Sequence, residues 1–128
     1  MEYPNVSVLT PTYNRKNFIE LCIFNLKNQT YPLEKLEWYL LDDSEKPYTK
    51  EDLEHIKKSI HPIKLKYDYN KIKSTIGAKR NKLVKNCTYK TCIMMDDDDI
   101  YQHTYIQTSI DTMIKNNKKM VGSNQMIF

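Results

Sequence analysis

Arginine is nearly missing from this chain: of its 20 basic residues, all but Arg15 and Arg80 are lysines. The lysines are spread along the sequence in no dense block, so the electrostatic signature of a nucleic-acid-binding tail is missing and no nucleic-acid partner is expected. Long apolar runs are missing as well. Nothing approaches the ~20 residues a membrane-spanning helix needs, and Met1-Glu2-Tyr3-Pro4 opens no signal-peptide core. Cysteine is scarce and odd in number. Cys22, Cys87 and Cys92 have neither the even count of a disulfide framework nor zinc-site spacing, which suits a reducing compartment. Together these absences give the expectation of a cytoplasmic protein. Repeats, low-complexity stretches and internal linkers are also lacking, so residues 1–128 are expected to form a single domain.

What is present is globular in composition, 40% hydrophobic and 28% charged, with a net charge of +4. A modest positive field of that kind suits an anionic ligand. Short β-rich runs alternate with helical patterns. Val6 to Leu9 reads as a strand, and Phe18, Ile19, Cys22, Ile23 and Leu26 form an apolar stripe on a helix over 15–28. Leu36 to Leu41 is a second strand, 49–60 a weaker helix, and 63–67 alternates with period 2 as an edge strand. Ser74 or Thr75 can cap a third helix with Ile76, Leu83, Val84 and Cys87 inward. A strand ending at Met95, a helix with Ile106, Ile110, Met113 and Ile114 inward, and a strand over 119–124 complete the order. This alternation predicts an α/β fold, a Rossmann-like three-layer sandwich with a mainly parallel sheet.

The most informative residues are the acids. Asp96-Asp97-Asp98-Asp99 follows the apolar run Cys92-Ile93-Met94-Met95. Two carboxylates about 4 Å apart repel by roughly 4 kcal/mol at an effective dielectric near 20, so a cation is needed beside them. A hard divalent ion with oxygen ligands answers that need, whereas a solvated acidic turn would splay its side chains into water. An EF-hand loop is a poor fit: Asp96 and Asp98 match its first two ligands, but Ile100 takes the third, Tyr101 stands where it needs Gly and Gln107 where it needs Glu. The second strand also ends in acids, Asp42-Asp43. In open α/β sheets the carboxyl edge is where ligands bind, and two acid sets on one edge argue for a site.

Five segments in order resemble family 2 glycosyltransferases of the GT-A fold: Val6 to Arg15, Gln29 to Pro32, Tyr39 to Ser44, Gly77 to Asn81 and Met95 to Asp99. The resemblance runs from about Val6 to Gln125. It implies transfer of a sugar from a nucleotide-sugar donor, UDP-linked by preference, to an acceptor hydroxyl with inversion, assisted by Mn2+ or Mg2+. It also implies residue roles. Pro11 and Tyr13 flank the nucleobase, Asp43 accepts from a base N–H, Arg80 reaches the base pocket or diphosphate, Asp96 and Asp97 contact the ribose or the metal's water shell, and Asp98 is the direct metal ligand. Asp99 is expected to cap the next helix, His103 to start it, Trp38 to be core, and Lys79 to be solvated or functional alike.

Two departures stand out. Asp42-Asp43-Ser44-Glu45-Lys46-Pro47 lacks the Gly and later Asp that the family usually carries there. The acceptor-binding half, with its general base, is also expected to lie outside these residues, so the catalytic base has no candidate here. The acceptor can be glycan, protein or lipid, and further domains or a homo-oligomer are possible partners. Two rival readings remain at this level: a non-catalytic nucleotide-sugar-binding or interaction module on the same scaffold, and a receiver-type phosphoacceptor domain.

Overall fold

A computed structural model describes residues 3–115 and the backbone of Met126–Ile127. Five strands and four helices alternate: β1 (Val6–Thr12), α1 (Ile19–Lys27), β2 (Leu36–Asp42), α2 (Lys50–Ile60), β3 (Lys64–Tyr69), α3 (Ile76–Asn86), β4 (Thr91–Met94), α4 (Tyr105–Lys115) and β5 (Met126–Ile127). The sheet order is β3-β2-β1-β4-β5, and each described pairing is parallel. This is the expected α/β sandwich. The predicted strand over 119–124 lies outside the described residues.

Alternation along the strands sorts two apolar layers. Val6 and Val8 of β1, Trp38 and Leu40 of β2, and Ile93 of β4 face α1, α2 and α4 through Cys22, Leu26, Ile56, Ile60, Ile106 and Ile110. Leu9, Tyr39, Leu41, Cys92 and Met94 point to the opposite face and meet Leu83 and Val84 of α3. Strands covered on both faces must be apolar throughout, and every residue of β1 and β2 is buried. Each fully buried Leu or Ile contributes about 1.5–3 kcal/mol. Trp38 is core as expected, and its indole N–H finds the Thr10 hydroxyl at 2.8 Å. β3 takes the predicted edge position, half-exposed along its length.

The helices differ from the sequence reading in three places: the start of α1, the exposure of Ile76 and the cap of α4. The first helix opens with a 3-10 turn over Lys16–Phe18 before α1 begins at Ile19. Of the two caps that the sequence offered for α3, Thr75 takes the role, accepting from the Ala78 N–H at 3.1 Å. Ile76 was expected inward but is 53% exposed, because the first residue of the helix stands above the sheet edge, beyond the reach of the layer that buries Leu83. Asp99 does not cap the next helix. Five residues separate it from Tyr105, where α4 begins, and its carbonyl accepts from the Asn25 side chain instead. His103 sits in the turn just ahead of α4.

α2 carries a complete capping box. The Thr49 hydroxyl accepts from the Asp52 N–H at 3.1 Å, and the Asp52 carboxylate accepts from the Thr49 N–H at 3.0 Å. The bond from the Thr49 backbone holds the Asp52 carboxyl below its ordinary pKa. A depressed carboxylate stabilises the fold above its unfolded pKa, and that support is lost as the pH falls through the folded value. Thr49→Ala, which removes the hydroxyl and keeps the N–H that Asp52 accepts from, is expected to cost about 1 kcal/mol, read as a lower Tm at neutral pH, with both proteins losing the Asp52 contribution in acid. Equal melting of the two proteins at pH 7 would contradict the cap.

Candidate functional site

The chain runs β1, β2, β3 outward in one direction, then α3 crosses back to place β4 on the other side of β1. The carboxyl ends of β1 and β4 therefore form the topological switch point, where open α/β sheets bind ligands. Thr12 closes β1 there. Its hydroxyl donates to Asp97 Oδ2 across the switch at 2.7 Å.

On the β2 side, Asp42 and Asp43 have different fates. Asp42 is fully buried and accepts from the Ser44 N–H at 2.9 Å, the Tyr67 hydroxyl at 2.7 Å and the Ser44 hydroxyl. Those bonds make it a structural acid that fixes the loop after β2. Asn14, in the left-handed region at φ 52, ties the loop after β1 to this one: its N–H donates to Ser44 Oγ at 2.7 Å and its side-chain oxygen accepts from the Glu45 N–H at 3.2 Å. Asn tolerates that backbone region better than most residues. A cleft of about 340 Å³ lies between these loops, lined by Asn14, Lys16, Asn17, Ser44, Glu45 and Lys46.

Asp43 points elsewhere. It is 2% exposed, and its carboxylate accepts from Lys79 Nζ at 2.8 Å and from the Ser74 N–H at 2.6 Å. Lys79, which the sequence left undecided, is buried. Its ammonium also donates to the Thr12 carbonyl at 3.3 Å. Tyr13, the first residue after β1, has Lys73 Nζ 4.3 Å and Lys79 Nζ 5.9 Å from its ring centre. Pro11 lies in β1, buried and in register with Leu41. Tyr13, Asp43 and the first turn of α3 thus converge on one side of the switch point.

On the β4 side the acids separate by environment. The Asp96 N–H donates to the Tyr101 hydroxyl at 2.8 Å, and Asp96 Oδ1 lies 3.8 Å from Arg80 Nη2. Arg80 Nε is buried with no hydrogen-bond partner among the described residues. Burial pushes the Asp97 carboxyl above the usual range, opposed by the Thr12 hydroxyl and the Arg15 charge. Asp98 is about half exposed and pairs with Arg15 Nη1 at 3.0 Å. Sequence reasoning did not place Arg15 in the site; its position at the end of the first family-like segment was the available signal.

Among the described residues, no three acid, histidine or cysteine side chains converge as a closed metal cage. An open site is the relevant comparison. A hard divalent cation at a phosphate-binding site takes one or two carboxylates and completes its shell with water and phosphate oxygens. An accessible carboxylate at Asp98, flanked by Asp96 and Asp97, fits such an ion.

This fold and edge define a GT-A glycosyltransferase domain. Residues 7–128 match the family model for glycosyl transferase family 2, and the chain belongs to that family. Two relatives from Bacillus subtilis (strain 168) are similar to it over 88% of the chain: EpsH, named as a glycosyltransferase, at 27% identity, and TuaG, named as a teichuronic acid biosynthesis glycosyltransferase, at 26%. The chain spans 31% of the length of EpsH and 43% of TuaG. Among solved structures, a mannosyltransferase from Pyrobaculum calidifontis in complex with GDP-Man and Mn2+ superposes with a TM-score of 0.75 at 22% identity, covering 88% of this chain and 33% of that one. S. aureus TarS 1-349 in complex with UDP-GlcNAc gives 0.72 at 23% identity, covering 88% and 32%. At such identities the structures speak for the fold. The receiver reading falls with the strand order, since receivers use 2-1-3-4-5.

Proposed function

We propose that this chain is the donor-binding core of an enzyme that moves a sugar from a nucleoside-diphosphate sugar, UDP-linked by preference, to an acceptor hydroxyl with inversion. The observation that carries this reading is the pairing of two acid sets across the switch point, with Asp43 beside Tyr13 on one side and Asp96 to Asp98 on the other. In this reading Tyr13 supplies a face for the base and Asp43 accepts from a ring N–H. Pro11 shapes the floor beneath them. Arg80, in the second turn of α3, offers its half-exposed guanidinium to the base pocket or the diphosphate. Asp96 and Asp97 take the ribose and the outer shell of the ion, and Asp98 holds Mn2+ or Mg2+. The cation would supply charge neutralisation on the leaving diphosphate. The named GDP-Man, UDP-GlcNAc and Mn2+ ligands of the structural neighbours support donor and metal classes of this kind.

The test is calorimetric titration of UDP, GDP and their sugars with and without Mn2+. Tighter binding of UDP when Mn2+ is present is the expected result. No binding of either nucleotide in either condition would refute the reading.

Transfer is expected to be slow or nil for residues 1–128. General base catalysis contributes typically 10²–10⁴-fold, and the acids described at this edge are already engaged. Asp42 is bonded three times, Asp43 pairs with Lys79, and Asp97 and Asp98 take Thr12 and Arg15. We place the base and the acceptor site in the portion by which the relatives exceed this length. Donor turnover measured with these residues should show at most slow hydrolysis, and robust transfer to a defined acceptor would put the base inside them.

A further inference from the structure

The Asp43–Lys79 pair asks for an explanation beyond stability. Its side chains are 1% and 7% exposed. A buried ion pair gains little over well-packed apolar residues of the same volume, so packing alone does not account for one at the carboxyl edge of the sheet, beside the switch point where ligands bind. The unused bonding capacity of the two groups is informative. An ionised carboxylate has about four acceptor positions and an ammonium three donors. Asp43 accepts from Lys79 and Ser74, and Lys79 donates to Asp43 and the Thr12 carbonyl. Each group keeps capacity for one more partner. The two lie side by side at 2.8 Å, with the Tyr13 ring centre 5.9 Å from the ammonium.

We infer that Asp43 and Lys79 together read a lactam edge, Asp43 accepting from a ring N–H and Lys79 donating to the neighbouring ring carbonyl. This rests on the proposed role of Asp43 as the base-contacting residue and adds a specificity-determining role for Lys79. Uracil, thymine and guanine present that edge, a ring N–H beside a C=O. Cytosine and adenine present its reverse, a ring nitrogen acceptor beside an amino donor, so both contacts become like-against-like. A buried reader of this kind discriminates strongly, because a mismatched ligand leaves its polar groups unpaired where water does not reach them.

The experiment is calorimetric titration of the chain with UDP, GDP, CDP and ADP in Mn2+, repeated with Lys79→Met and with Lys79→Gln, which keeps an N–H donor. The expected result is that the tighter of UDP and GDP exceeds both CDP and ADP by about tenfold or more. Lys79→Met should bring that ratio to within about threefold, and Lys79→Gln should retain part of it. A purely structural Lys79 would weaken all four nucleotides alike and leave the ratio unchanged, which overturns the inference. Wild type binding CDP or ADP as tightly as UDP and GDP overturns it with no variant needed, whether or not Lys79→Met folds. Wild type that binds the nucleotides without selectivity refutes the lactam reader alone, whereas failure of all four nucleotides to bind wild type refutes the donor-binding reading with it.

Discussion

Asp43→Ala is expected to lower the stability of the protein by about 3–5 kcal/mol, the usual result of removing one member of a buried ion pair. The Lys79 ammonium, 7% exposed, would be left with the Thr12 carbonyl as its one described partner. Against a typical total of about 5–15 kcal/mol, that is a large share. UDP affinity should fall roughly tenfold or more once the folded fraction is accounted for, because a buried contact worth about 1–3 kcal/mol is gone. The double variant Asp43→Ala/Lys79→Met separates the two effects. It should recover most of the stability, since the stranded charge is removed, and none of the affinity. Urea unfolding and calorimetry on the three proteins read both quantities. A single variant as stable as wild type would show that the ammonium is not held where the structure places it.

Asp98→Asn is expected to behave in the opposite way, sparing the fold and abolishing the metal-dependent part of nucleotide binding. The Asp98 carboxylate is 45% exposed and its Arg15 partner 43%, and ion pairs so exposed contribute about 0–1 kcal/mol. The melting temperature should therefore barely move. UDP affinity without metal should match wild type, while the gain produced by Mn2+ should disappear. An Asn variant that binds UDP as tightly as wild type in Mn2+ would mean that another group holds the ion.

The layers, the strand sequence and the edge on which the site lies were legible in the chain, because apolar alternation and burial are local and strong signals. Strands read from Val6, Leu36 and Ile63 fell into β1, β2 and β3 with shifts of a few residues, and both acid sets arrived on one edge. The contents of the site were harder to read. Asp42 and Asp43 are neighbours in sequence, yet strand pleating turns one into the loop and the other toward α3, and only the fold decides which. Lys79 was undecidable because a lysine in a helical pattern normally lies in solvent; here the partner that buries it is 36 residues away. Arg15 gained its partner from a segment 83 residues on. Asp99 was misassigned because the acid run looks like a helix entry, whereas the turns from Asp97 to Thr104 delay α4.

Thr12 has a consequence that extends over the whole edge. Its carbonyl accepts from the Asp43 N–H at 3.3 Å and from Lys79, and its hydroxyl holds Asp97. A single residue thus joins the side of the edge that carries Asp43 to the side that carries the acid run, so a shift of one strand end is felt at the other. Under the proposed function the affinities for nucleobase and cation would be linked through that residue, each changing the other by the same factor, as reciprocity demands of binding free energies. Cooperativity between two ligands would then be a property of one threonine's position at the end of the central strand.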